Sequence, residues 1–105
     1  MYKSRLTVQV KSGRFKEYLG ITDRMSDLSR SRGWTVPTIL IPTVGRSNQI
    51  VSEFDYPDLA TFERELAASF ADAEAMAQVK EAVDCLVEGS IHSELLQTIS
   101  TADMA

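Results

Sequence analysis

Cysteine is almost absent from this chain: Cys85 stands alone among 105 residues, which excludes an intrachain disulfide and fits a reducing compartment. Histidine is equally scarce, His92 being its one representative, so no cysteine or histidine spacing for a metal exists. Long apolar runs are missing as well. The first residues, MYKSRLTVQV, alternate polar and apolar side chains where a signal peptide would set an apolar stretch behind a basic start, and no run is long enough to span a bilayer. There is no glycine-rich nucleotide loop, catalytic triad, linker, repeat or low-complexity segment. These absences predict one cytoplasmic domain over residues 1–99 with a frayed tail over 100–105, no cofactor, no metal and no membrane attachment.

What is present is an ordinary globular composition, 44% hydrophobic and 25% charged, with an uneven charge distribution. Residues 1–33 hold eight basic and three acidic side chains, whereas the remainder holds three basic and twelve acidic ones. A basic first third could steer an anionic partner. The charges nevertheless follow helical spacing, which fits a basic helix lying beside an acidic one.

Periodicity supplies the elements. Arg5 to Val10 alternates, with Leu6, Val8 and Val10 on one side and Arg5, Thr7 and Gln9 on the other, the signature of a half-buried strand. Ser12 or Gly13 then caps a helix over 14–32 whose stripe is Phe15, Tyr18, Leu19, Thr22, Met25 and Leu28, closed by Gly33. Residues 35–43 read as a second strand around Ile39-Leu40-Ile41, apolar on both faces, and Pro37 and Pro42 place it at a sheet edge because neither can donate to a ladder. After a turn over 44–48, Gln49 to Tyr56 forms the third strand, with Ile50, Ser52, Phe54 and Tyr56 opposite Val51, Glu53 and Asp55. Pro57-Asp58 starts helical pieces over 59–70 and 73–88, broken near Ala71-Asp72, and Gly89 precedes a last strand over 90–98 in which Ile91, Ser93 and Leu95 oppose His92, Glu94 and Leu96.

The order β-α-β-β-α-β is that of the ferredoxin-like α+β fold: a four-stranded antiparallel sheet with both helical segments on one face and the first and third strands central. The apolar second face of the edge strand would then lack cover. A second copy of the chain is the simplest cover, so the expectation is a homodimer in which two sheets enclose a barrel.

Val44-Gly45, Asn48 through Tyr56, and Ala71-Asp72-Ala73-Glu74 together resemble the NIPSNAP-like group of the dimeric α/β-barrel superfamily. The resemblance implies fold and dimer; the group has no settled common activity, though its superfamily includes cofactor-free monooxygenases acting on flat aromatic substrates.

Two sets of side chains are candidates for function. Arg5, Glu53, His92 and Glu94, with Thr7 and Gln9, fall on the face away from the helices, where a histidine held by carboxylates beside an arginine could act as a general base. The same residues equally make a hydrogen-bonded network at a dimer interface. Glu53, His92 and Glu94 as a metal set is disfavoured by the shortage of histidine and cysteine, and Cys85, among Val83, Leu86 and Val87, reads as a small buried hydrophobe. Tyr18, Trp34, Phe54 and Tyr56 could line a pocket for a small hydrophobic ligand or could be core. Nucleic-acid binding is disfavoured: the RNA-recognition domain shares this element order, but the third strand lacks its aromatic motif and the net charge is -4. The sequence therefore predicts a small-molecule binding or accessory module, the alternative being a cofactor-independent monooxygenase or isomerase acting on a hydrophobic carbonyl or phenolic compound.

Overall fold

The computed structural model describes residues 1–104. Its elements are β1 (Tyr2–Gln9), α1 (Phe15–Arg32), β2 (Thr38–Leu40), β3 (Gln49–Tyr56), α2 (Leu59–Phe70), α3 (Ala73–Asp84) and β4 (His92–Gln97). The strands form one antiparallel sheet in the order β2-β3-β1-β4, so β1 and β3 are central and β2 is an edge, as the prolines require. Thr101–Met104 forms a single 3-10 turn in the tail, and Ala105 lies outside the described residues. No described helix is long and apolar enough to cross a membrane.

Several boundaries differ from the sequence reading. β1 begins at Tyr2 instead of Arg5: Ser4 breaks the apolar alternation, yet ladders to both β3 and β4 hold this stretch extended. β2 shrinks from the expected 35–43 to three residues, because Pro37 and Pro42 bracket it and bring no N–H to pair. α1 takes Arg14 as its N-cap with no side-chain cap, where Ser12 or Gly13 was expected. α3 stops at Asp84, short of residue 88. The next residues instead bond the end of β1, Lys11 N–H donating to the Cys85 carbonyl at 2.8 Å and Val87 N–H to that of Gln9 at 2.9 Å, with Leu86 bridged to Val10. β4 spans 92–97 where 90–98 was expected.

The helix breaks are well capped. Asp58 accepts from Thr61 N–H at 2.7 Å at the start of α2, and Asp72 accepts from Ala75 N–H at 3.0 Å at the start of α3. The core lies between α1, α3 and one end of the sheet, around Val8, Val10, Tyr18, Ile21, Ile50, Cys85 and Leu86. Cys85 is fully buried and packs as a small hydrophobe, and that burial raises its thiol's pKa.

The uneven charge is resolved across the α1–α3 surface. Arg24 pairs with Glu81 at 2.8 Å, Arg14 with Asp84 at 3.2 Å, and Arg32 with both Asp72 at 2.8 Å and Glu74 at 3.1 Å. A basic helix lies against an acidic one, and the basic first third is largely matched within the chain.

Candidate functional site

Alternation along β1 and β3 sends neighbouring residues to opposite faces of the sheet, and the two candidate sets part company there. Across the helix-covered face, Phe54 pairs with Ser4 and Ser4 with Leu95; one row further, Ile39, Ser52, Leu6 and Ser93 align. Small serines at 4 and 93 sit where larger side chains would fill the space below the helices. The result is a cavity of about 300 Å³ between the sheet, the C-terminal half of α1, α2 and the start of α3.

Trp34, Phe54 and Tyr56 all line this cavity. Trp34 is held by the end of α1: Gly33 adopts a left-handed φ of 73°, its N–H donates to the Arg30 carbonyl at 3.2 Å, and Trp34 N–H donates to that of Ser29 at 2.8 Å. Only glycine takes that backbone turn without cost, and it turns the next residue back over the helix. Phe54 and Tyr56, two apart on β3, stack with ring centroids 6.3 Å apart, and Phe62 of α2 meets Tyr56 edge-on at 5.3 Å. Burial, with the Glu65 charge second, pushes the Tyr56 hydroxyl up to about 12, so it stays neutral at physiological pH. Tyr18, the fourth aromatic of the set, is buried in the core at the other end of the sheet and does not line the cavity.

Sequence reasoning missed two lining residues with polar chemistry. Glu65 of α2 accepts from Thr35 N–H at 2.6 Å and from the Thr35 hydroxyl at 3.1 Å, tying the loop after Trp34 onto α2. Gln78 of α3 has a buried Oε1 with no hydrogen-bond partner. Neither position differs in spacing from an ordinary helix-surface residue, so only the tertiary arrangement could reveal them. The serines did carry a signal, a small polar residue breaking an otherwise apolar strand face.

Arg5, Glu53, His92 and Glu94 lie on the opposite, open face. The register sets Glu53, Arg5 and Glu94 side by side in one row and Val51, Thr7 and His92 in the next. Arg5 Nε donates to Glu53 at 2.8 Å and Lys3 Nζ donates to it at 3.1 Å, which holds the Glu53 carboxyl below its usual value. His92 is 3.9 Å from Glu94 and its side chain is 72% exposed. None of the four lines the cavity. Among the described residues, no group of three or more histidine, cysteine, aspartate or glutamate side chains is arranged to hold a metal ion.

The open face is also less apolar than the sequence suggested. Its centre is the Lys3-Glu53-Arg5 network, with Leu40 at the β2 edge and Leu96 at the β4 edge, 43% and 38% exposed.

No protein-family profile matches the sequence, and no curated protein matches it. Solved structures do. The chain superposes over 95% of its length on 96% of an uncharacterized NIPSNAP domain protein from Burkholderia xenovorans, with 19% identity and a TM-score of 0.78. A NIPSNAP family protein from Agrobacterium tumefaciens matches over 93% of this chain and 92% of its own, at 13% identity and a TM-score of 0.76. An antibiotic biosynthesis monooxygenase matches over 95% of this chain and all of its own, at 12% identity and a TM-score of 0.74. What is shared at these identities is the fold, a ferredoxin-like α+β domain.

Proposed function

We propose that the protein is a small-molecule binding module, acting as a cytoplasmic homodimer, whose ligand is a small and largely hydrophobic molecule held between the sheet and the helices. The observation that carries this reading is the convergence of Trp34, Phe54 and Tyr56 on a cavity of about 300 Å³. That volume lies at the lower end of the roughly 300–1,000 Å³ of small-molecule sites. Trp34 is the chain's single tryptophan, so its emission reports directly on the cavity.

The dimer reading rests on Leu40, 43% exposed on the open face at one edge of the sheet, and on Leu96, 38% exposed on that face at the other, which a second sheet would cover. Cytoplasmic placement rests on the lone thiol of Cys85.

The test is a titration with toluene followed by Trp34 emission and by melting temperature. A saturable emission change with a rise in melting temperature supports the reading. Unchanged emission and melting temperature at millimolar toluene would refute it.

A second reading is favoured by one observation, the Arg5–Glu53 contact at 2.8 Å on the same face as His92 and Glu94. If a partner sheet encloses that face, His92 is the base and Arg5 the group that stabilises an anion, and the reaction is a cofactor-independent oxygenation or isomerisation. Its test is ligand binding to wild type and His92→Ala: an identical response in both removes His92.

A further inference from the structure

The cavity's charge balance goes beyond hydrophobicity. Glu65 is the one carboxylate among its lining residues, and no lysine, arginine or histidine is among them. Glu65 takes part in no ion pair among the described residues; its hydrogen-bond partners are the neutral N–H and hydroxyl of Thr35. Each carboxylate oxygen has lone pairs to spare after those bonds. Gln78 adds a buried amide oxygen with nothing donating to it. Four aromatic rings, those of Trp34, Phe54, Tyr56 and Phe62, surround the same space, and a ring face is the negative end of its quadrupole.

The lining thus holds one negative charge and no positive one, and its unpartnered buried side-chain atom, Gln78 Oε1, is an acceptor, while the hydroxyls of Ser4, Ser93 and Tyr56 can donate or accept. The half-buried Glu65 carboxylate faces the cleft with no basic side chain beside it, so a cationic occupant would supply the missing counter-charge. We propose that the cavity is built for an apolar primary amine in its ammonium form, with the aromatic body among the rings and the N–H groups directed to Glu65 and Gln78. An ammonium has three donors and no acceptor, which matches a surplus of acceptors. An arylalkyl carboxylate of the same shape would set a second negative charge against Glu65 and is disfavoured. The proposal rests on the cavity being a ligand site, as argued above.

Three probes of near-equal shape separate the possibilities: 2-phenylethylamine, propylbenzene and 3-phenylpropionate, titrated at pH 7 by Trp34 emission and by calorimetry. The expected order is amine, then hydrocarbon, then carboxylate, with the amine about tenfold tighter than the hydrocarbon. Glu65→Gln retains an acceptor for Thr35 but removes the charge, and it should remove most of the amine's advantage while leaving propylbenzene affinity unchanged. Glu63→Gln, an exposed neighbour outside the cavity, serves as the control for the overall negative charge and should leave the advantage intact. Gln78→Leu should reduce the advantage without abolishing it.

If propylbenzene binds and the amine binds no tighter, the cavity stands and the ammonium assignment falls. Carboxylate binding tighter than the amine, or an equal loss in Glu65→Gln and Glu63→Gln, overturns it too. If none of the probes binds the wild type, both the assignment and the cavity reading fail together. The wild-type ranking decides the matter even should a variant fold poorly.

Discussion

Glu53 and Phe54 are adjacent in the chain and serve opposite sides of the sheet: the Glu53 carboxylate accepts from Arg5 at 2.8 Å on the open face, while Phe54 lines the cavity under the helices. One peptide bond separates a charged network from an aromatic pocket, because consecutive side chains of a strand point to opposite faces. Variants on the two faces should therefore be separable in their effects.

Glu53 is held in its ionised form by Arg5 first and Lys3 second, so its folded pKa lies below the ordinary 4.5. A lowered folded pKa contributes stability above the unfolded value and loses it as pH falls through the folded one. The urea midpoint of Glu53→Gln should fall below that of wild type at pH 7. The gap should narrow below pH 4.5 and close once the folded carboxyl is protonated. A gap of the same size at neutral pH and at about pH 3 would show that the pair contributes nothing through charge.

Tyr56 works in the opposite direction. Its folded pKa is raised to about 12 from 10.0, so its contribution is whole below pH 10 and is lost as pH rises toward 12, where the unfolded chain ionises first. Wild type should lose stability across that window more steeply than Tyr56→Phe, measured by denaturant midpoints at several pH values. Parallel curves for the two proteins count against a buried neutral hydroxyl at this position.

The two acidic caps differ in what else they hold. Asp58 caps α2 alone, whereas Asp72 caps α3 and also receives Arg32 at 2.8 Å. Thermal denaturation should rank Asp72→Ala as more damaging than Asp58→Ala, and Asp72→Asn as milder than either, since asparagine keeps the cap and loses only the ion pair. Equal losses for Asp72→Ala and Asp72→Asn would assign the whole effect to Arg32.

Leu40 and Ile50 test the proposed interface against the core. Ile50 is fully buried within the single chain, so Ile50→Ala should cost about 2–5 kcal/mol of folding stability. Leu40 is 43% exposed in the lone chain, and Leu40→Asp should change the stability of an isolated protomer by only about 0.5 kcal/mol. Sedimentation should nevertheless show Leu40→Asp shifted toward monomer relative to wild type. A wild type that sediments as a monomer at micromolar concentration removes the dimer.

The sequence by itself determined the element order, the edge position of β2 and the bounds of β3 and α2, because alternation, proline and an acidic cap are local signals that no distant contact overrode. It also showed which residues share a face of each strand, and so placed Arg5, Glu53, His92 and Glu94 together away from the helices. Only the tertiary structure decided where space was left. Tyr18 and Trp34 both belong to large aromatic residues at the α1 stripe or its end, yet one fills the core and the other faces the cavity, according to what the opposing strand offers: Val8 and Ile50 at one end, Ser4 and Ser93 at the other. A cavity is a deficit of volume among residues far apart in the chain, and periodicity counts residues along one element at a time, so Glu65 and Gln78 acquire their meaning only once α2 and α3 close over the sheet.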